Sequence, residues 1–361
     1  MIFDKIQEHT IQIYELRNKQ YEIHDVPARS LLVGERFDLF AKLFYIKNRK
    51  TNHDLAIEVY NNHIKAFNPD LKEPGRIDKS GYDDFINTFD KLIDDLGTNG
   101  FNPNKSLIPV DENGILLDGA HRVCALAYVD KTVRIVHFKG VQSKGKFNYE
   151  YFLKRGLSWK IADIIAHEMV LWCPNMLIAC LWPRMGGAKV KQETLNILNH
   201  HYPLCYTKTI NTNLESFVNF IAKVYKDQNW IGNADNNFAG ARSKALNCYG
   251  SNRQITFALF EADDLNAVIN LKNKIRQHLQ SEKHSIHITD NVHETKEISN
   301  IVFNATELAL WNKVNNSYLQ QIKDMLNEKV YYFKHVTLIN WKVTIAAIMN
   351  KIRNNFIIFL K

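Results

Sequence analysis

The run from residue 108 to residue 128 constrains this chain more than any other. It reads Ile-Pro-Val, Asp-Glu-Asn-Gly, Ile-Leu-Leu, Asp-Gly, then Ala-His-Arg-Val-Cys-Ala-Leu-Ala-Tyr. Short apolar segments at 108–110 and 115–117 flank residues 111–114, whose types favour a tight turn, so the run begins as strand, turn, strand. Asp118 and Gly119 break the second strand, and residues 120–128 continue with apolar positions at helical spacing. Glycine at such a bend admits a ligand close to the backbone, and the first-turn amides of the helix form an anion site. His121 and Arg122 fall inside that first turn, where positive charge opposes the helix dipole by about 0.3–1 kcal/mol. An anion offsets this cost, and phosphate is the expected one.

Leu117-Asp118-Gly119-Ala120-His121-Arg122 resembles the signature of the ParB/sulfiredoxin-fold superfamily. In that superfamily an Asp/Gly-Gly-x-His-Arg turn at a helix N-terminus binds nucleotide phosphates. Among its members the free serine kinases have the most similar motif. The resemblance covers this turn and its flanking elements, with a lead-in from residue 70. It implies a ParB/sulfiredoxin-like nucleotide-binding domain over residues 1–140 and a phosphotransferase reaction. Gly119, Ala120, His121 and Arg122 would hold the phosphates of ATP or another nucleoside di- or triphosphate, with Mg²⁺. Asp118 or Glu73 would activate an acceptor hydroxyl, and Arg76 and Lys79 would clamp an anionic acceptor. Ala120 stands where the serine kinases place a second histidine, which leaves the acceptor open. It also stands where sulfiredoxin places its catalytic cysteine, which argues against that chemistry.

A chain of 361 residues points to two domains, and a net charge of +8 suits an anionic partner. The five cysteines have no CxxC spacing and sit in apolar surroundings, as buried free thiols of a reducing compartment do. The first residues lack the apolar core of a signal peptide, and a cytoplasmic protein is expected.

Residues 1–25 read as helical with a polar face, ended before Pro27, and residues 29–33 as strand-like. Two helices follow, over 36–45 and 53–66, with Phe37, Phe40, Ala41 and Phe44 inward. Asp38, Lys42, Lys47, Arg49 and Lys50 read as a solvated basic face, the alternative being an anion-binding lip. Residues 68–79 form a highly charged loop that holds Glu73 between prolines and glycine. A helix over 82–96 stops at Gly97, and 132–138 alternates as a strand.

A polar, glycine-bearing linker at 139–148 separates a second α/β domain over 149–361, giving an α/β (α+β) chain overall. There 205–210, 255–261 and 285–288 read as strands, and 193–200, 214–225, 239–248 and 265–279 as helices. His287, Thr289, Asp290 and His293 converge where the last strand meets a helix running to Phe303, capped by Thr289 or Asp290. Open α/β sheets place ligands at such ends, so these four are candidate substrate-binding residues; a capped structural turn or a metal site are the alternatives. From Trp230 onwards the chain resembles the C-terminal part of proteins encoded with bacterial cell-surface polysaccharide genes. The tail at 329–361 is basic and aromatic, as a packed helix with snorkelling lysines would be, or a peripheral contact with an anionic membrane.

The expected function is a nucleotide-dependent kinase for a small hydroxyl-bearing metabolite, a sugar or polyol included. The alternatives are a glycosyl- or polyol-phosphate transferase with catalysis in the second domain, and a ParB-like DNA-associated nucleotide switch. No helix-turn-helix or dense basic stripe supports the last, so nucleic acid is not an expected partner.

Overall fold

In the computed structural model, residues 2–72, 80–250, 252–280 and 282–313 are described. The first half lays down α1 (Glu8–Tyr14), β1 (Tyr21–Pro27), α2 (Phe37–Asn48), α3 (His53–Phe67) and α4 (Tyr82–Asn99). Then come β2 (Ile108–Val110), α5 (Ala120–Tyr128) and β3 (Thr132–Phe138). The strands form a sheet in the order β1-β3-β2, with β1 antiparallel and β2 parallel to β3. Parallel neighbours need a crossover, and α5 supplies it between β2 and β3. Alternate β3 residues face opposite ways. Val133 and Ile135 join the main core under α2–α5, while Val136 and Phe138 meet Ile6, Ile11 and Leu16 from the N-terminal segment.

α2 is apolar almost all round. A helix of that kind is buried on every side, and α2 packs against α3, α5 and a helix of the second half. In α4, Phe85, Phe89, Ile93 and Leu96 make one buried stripe.

After α6 (Tyr149–Lys154) and α7 (Trp159–Trp172), the second half forms a four-stranded sheet. Its elements run β4 (Met176–Leu181), α8 (Ala188–His201), β5 (Leu204–Asn211), α9 (Leu214–Val224), α10 (Ala239–Cys248) and β6 (Gln254–Glu261). α11 (Leu265–His278), β7 (Ile286–Ile288), α12 (Val292–Phe303) and α13 (Ala305–Trp311) follow. The order β5-β6-β4-β7, antiparallel at every joint, puts one strand of each βαβ unit between those of the other, a split βαβ arrangement. Leu177, Ala179, Leu181, Ala258 and Phe260 face α8 and α11. Met176, Ile178, Cys180, Phe257 and Leu259 face the other way, into a core that runs without a break through α7 and α9 to α2 and α5. A strand covered on both faces is apolar at every position, and β4 is buried throughout.

The N-terminal reading is corrected in two places. Residues 21–27 are a strand, and residues 28–31 a 3₁₀ turn. β1 is exposed along most of its length, with Tyr21 and Ile23 at the surface, so it lacks the in–out alternation that marks a strand. The apolar run near Leu31 has no period to separate strand from turn. The 115–117 segment keeps only an antiparallel bridge between Val110 and Leu116, and α4 runs through Gly97 to Asn99. Residues 141–147 are held to the first half: Ser143 N–H donates to Asp111 Oδ2 and Phe37 N–H donates to Phe147 O. Among the described residues no helix is long and apolar enough to cross a membrane, and the basic tail lies outside them.

Candidate functional site

The bend between β2 and α5 has the shape its sequence implies. Gly119, at the N-cap of α5, has φ 88° and no side chain to close the helix end. A Cβ there would stand 2.6 Å from Ile108 Cδ1 and 3.1 Å from Arg122 Nη2, so glycine is required by conformation and by space. Arg122 Nη2 donates to Asp118 Oδ2 at 3.0 Å, one helical turn away. The Tyr60 hydroxyl bonds His121 Nε2 at 2.9 Å, and the Phe89 ring meets the same imidazole edge-on.

This bend forms one wall of a cavity of about 670 Å³, and the other walls come from α1, α2, α3 and α4. Asp118, Gly119, Ala120, His121 and Arg122 all line it. So do four residues that the sequence reading left out of the site: Arg36, Asp38, Lys42 and His63.

Those four make the floor, and they are buried (Arg36 6%, Asp38 1%, Lys42 3% and His63 1% exposed). The solvated basic face expected for Asp38 and Lys42 is therefore corrected: both are buried where α2 packs against α3 and α5, while Lys47 on the same helix stays exposed. Arg36 grips Asp38 with two parallel hydrogen bonds, Nε to Oδ1 at 2.8 Å and Nη2 to Oδ2 at 2.9 Å. Its Nη1 donates to Leu116 O at 2.6 Å, beside the bend. Lys42 Nζ donates to Asp38 Oδ2 at 2.9 Å. Burial alone would raise the Asp38 pKa, but the Arg36 and Lys42 charges overrule it and hold the carboxylate far below its usual range. Two cations against one anion leave the floor with a net positive charge.

His63 sits among Tyr60, Phe67 and Phe152 rings. Burial first, and the Lys42 charge second, push its pKa well below the usual value, so the ring is neutral. Among the described residues neither ring nitrogen has a hydrogen-bond partner. Buried polar atoms are nearly always paired, and one left alone costs about 1–3 kcal/mol. A ligand in the cavity is a natural partner. Cys124, behind the floor, is inert: burial raises its thiol pKa to about 12.

Comparisons with family models, curated proteins and solved structures return no match for this chain.

The remaining candidates fall elsewhere. Glu73, Arg76 and Lys79 lie outside the described residues. His287, Asp290 and His293 line a second cavity in the other half, and Thr289 does not. Thr289 is fully buried, accepts from Ile178 N–H and bonds the Thr295 hydroxyl, which ties β7 to β4 and α12. The cap of α12 is Asn291, whose Oδ1 accepts from Glu294 N–H at 2.9 Å, not Thr289 or Asp290. The strand-end rule for open parallel sheets does not apply here, because β7 is an antiparallel edge strand.

The missed floor had one legible sign. Phe37-Asp38-Leu39-Phe40-Ala41-Lys42-Leu43-Phe44-Tyr45-Ile46 has only two charges, four residues apart, in an otherwise apolar helix. Such a pair belongs to a buried face, where charges need a purpose.

Proposed function

We propose that this chain is a nucleotide-dependent phosphotransferase acting on a small hydroxyl-bearing metabolite, with its first half a ParB/sulfiredoxin-like domain. One observation carries the reading. The glycine bend at the N-terminus of α5 opens into the same cavity as a buried Arg36–Asp38–Lys42 cluster of net positive charge. A helix N-terminus and uncompensated buried cations both call for a polyanion. The parallel β2–α5–β3 unit with the motif at its turn supports the fold assignment.

In this reading the phosphates lie against Gly119, Ala120 and His121, with Arg122, Arg36 and Lys42 neutralising charge. Asp118 keeps Oδ1 clear of its bond to Arg122 and is placed to accept the proton of an acceptor hydroxyl. His63 supplies a neutral donor and acceptor for the ligand's uncharged part. Both Asp38 oxygens are taken by cations, so the residues suit a Mg²⁺ carried by the phosphates, not a protein-built cage. Bound there, Mg²⁺ would neutralise charge on the transferring phosphoryl group.

Titration calorimetry with ATP–Mg²⁺ and ADP–Mg²⁺ tests the site. Arg122→Ala should weaken binding about tenfold or more, since hydrogen bonds to charged groups are worth about 1.5–3 kcal/mol. Unchanged affinity rejects the site. Asp118→Asn should keep binding while transfer to polyol acceptors, followed by phosphorus NMR, falls about 10²–10⁴-fold. Equal turnover by this variant removes Asp118 as the base.

A further inference from the structure

The second cavity, about 950 Å³, lies among α9, α10, α11, β7 and α12 and is independent of the first. His287 on β7 is its most constrained feature. Its Nε2 bonds Glu294 Oε1 at 2.9 Å, and the other Glu294 oxygen accepts the Asp290 amide at 2.8 Å. The Trp182 ring stacks at 13° on one side of the imidazole, and Tyr225 meets it edge-on. Burial would raise the Glu294 pKa, but the His287 hydrogen bond overrules it and keeps the carboxylate ionised. An ionised Glu294 accepts from Nε2–H, which leaves Nδ1 as an acceptor, and Nδ1 makes no hydrogen bond among the described residues.

Two cations that line this cavity stand outside its ion pairs. Lys272 pairs with Asp290 at 2.7 Å and Glu297 with Lys226, while Glu294 is held by the His287 hydrogen bond. Among the described residues Arg276 has no carboxylate within ion-pair distance; its Nε and Nη2 donate to Ile286 O, and burial lowers its pKa. Lys244 is alike: its Nζ donates to Lys283 O, and burial lowers its pKa. Two desolvated cations outside any ion pair among the described residues, one on α10 and one on α11, suit an anionic group such as a phosphate. A phosphate monoester carries about −1.5 to −2 near neutral pH. Trp230 stands at the rim, 46% exposed and packed on Tyr225, with an open aromatic face.

We propose that this cavity is a second small-molecule site, for a phosphomonoester of a hydroxyl-bearing compound. Arg276 and Lys244 take the phosphate, His287 Nδ1 accepts from a hydroxyl, and Trp230 covers an apolar face of the body. The site does not depend on nucleotide binding in the first half.

Calorimetry on the full chain with glucose 6-phosphate, inorganic phosphate and glucose tests it. Glucose 6-phosphate should bind more tightly than inorganic phosphate, and glucose should not bind. Arg276→Gln and Lys244→Gln should each weaken both phosphate probes about tenfold. His287→Gln should weaken glucose 6-phosphate alone. If Arg276→Gln fails to fold by circular dichroism, Lys244→Gln carries the test, because its stem remains and only the charge is lost. No binding of either phosphate at millimolar concentration overturns the proposal. So does wild-type affinity in a folded Lys244→Gln.

Discussion

Two buried residues of the first cavity make opposite demands on the fold, and both can be measured. Among the described residues Asp38 is the carboxylate that pairs with both Arg36 and Lys42, so Asp38→Asn strands two buried cations and should cost about 3–5 kcal/mol in urea unfolding. Its folded pKa is depressed. The stabilisation is therefore complete above the unfolded carboxylate value of about 4 and drains as pH falls toward the folded value. In the variant that acid dependence should shrink; an unchanged acid profile would show that Asp38 carries no linkage. His63 is also depressed, so its neutral form stabilises fully above about pH 6.5 and progressively less below it. His63→Phe keeps a ring among Tyr60, Phe67 and Phe152 and removes two unpaired nitrogens. The variant should gain on the wild type between about pH 7 and 5 while binding nucleotide more weakly. Parallel stability curves would mean that the imidazole is not held neutral.

Single elements show what the sequence could and could not convey. The β2–turn–α5–β3 segment was readable because each of its turns has its own residue chemistry, and Gly119 has the left-handed backbone the bend requires. Gly119→Ala should cost about 1–3 kcal/mol in strain and displaced Ile108 and Arg122 side chains, and it should impair binding with them. A neutral substitution would contradict the bend. The helices α3, α9 and α11 were legible from their apolar spacing, each having one buried stripe. β1 was not, because an edge strand exposed on both sides gives no pattern. The cavity floor was not either, since whether Asp38 and Lys42 meet water depends on α3 and α5, which cover them from later in the chain. The cap of α12 was misplaced by one or two residues, a scale at which Thr289, Asp290 and Asn291 look alike in sequence. Asn291→Ala should cost about 0.5–2 kcal/mol, and Asp290→Ala should cost no cap energy.

Across the whole molecule, the two sheets share one hydrophobic core. Lys47 pairs with buried Glu168, Gly34 N–H donates to Glu261 Oε2 at 2.9 Å, and a Cβ on Gly34 would strike Cys205 Sγ. Calorimetric unfolding should therefore show one transition; two resolved transitions would mean the halves melt apart. All five cysteines are buried, so a thiol reagent should label none in the folded protein and all five after denaturation. α2 has two duties: one stretch carries Asp38 and Lys42 to the cavity floor, and another carries Lys47 to α7. Whatever clamps its first turns also restrains its last. Deuterium uptake by the amides of α7, which touch no nucleotide, should then slow when the first cavity is filled, a distant echo carried by a single rigid rod.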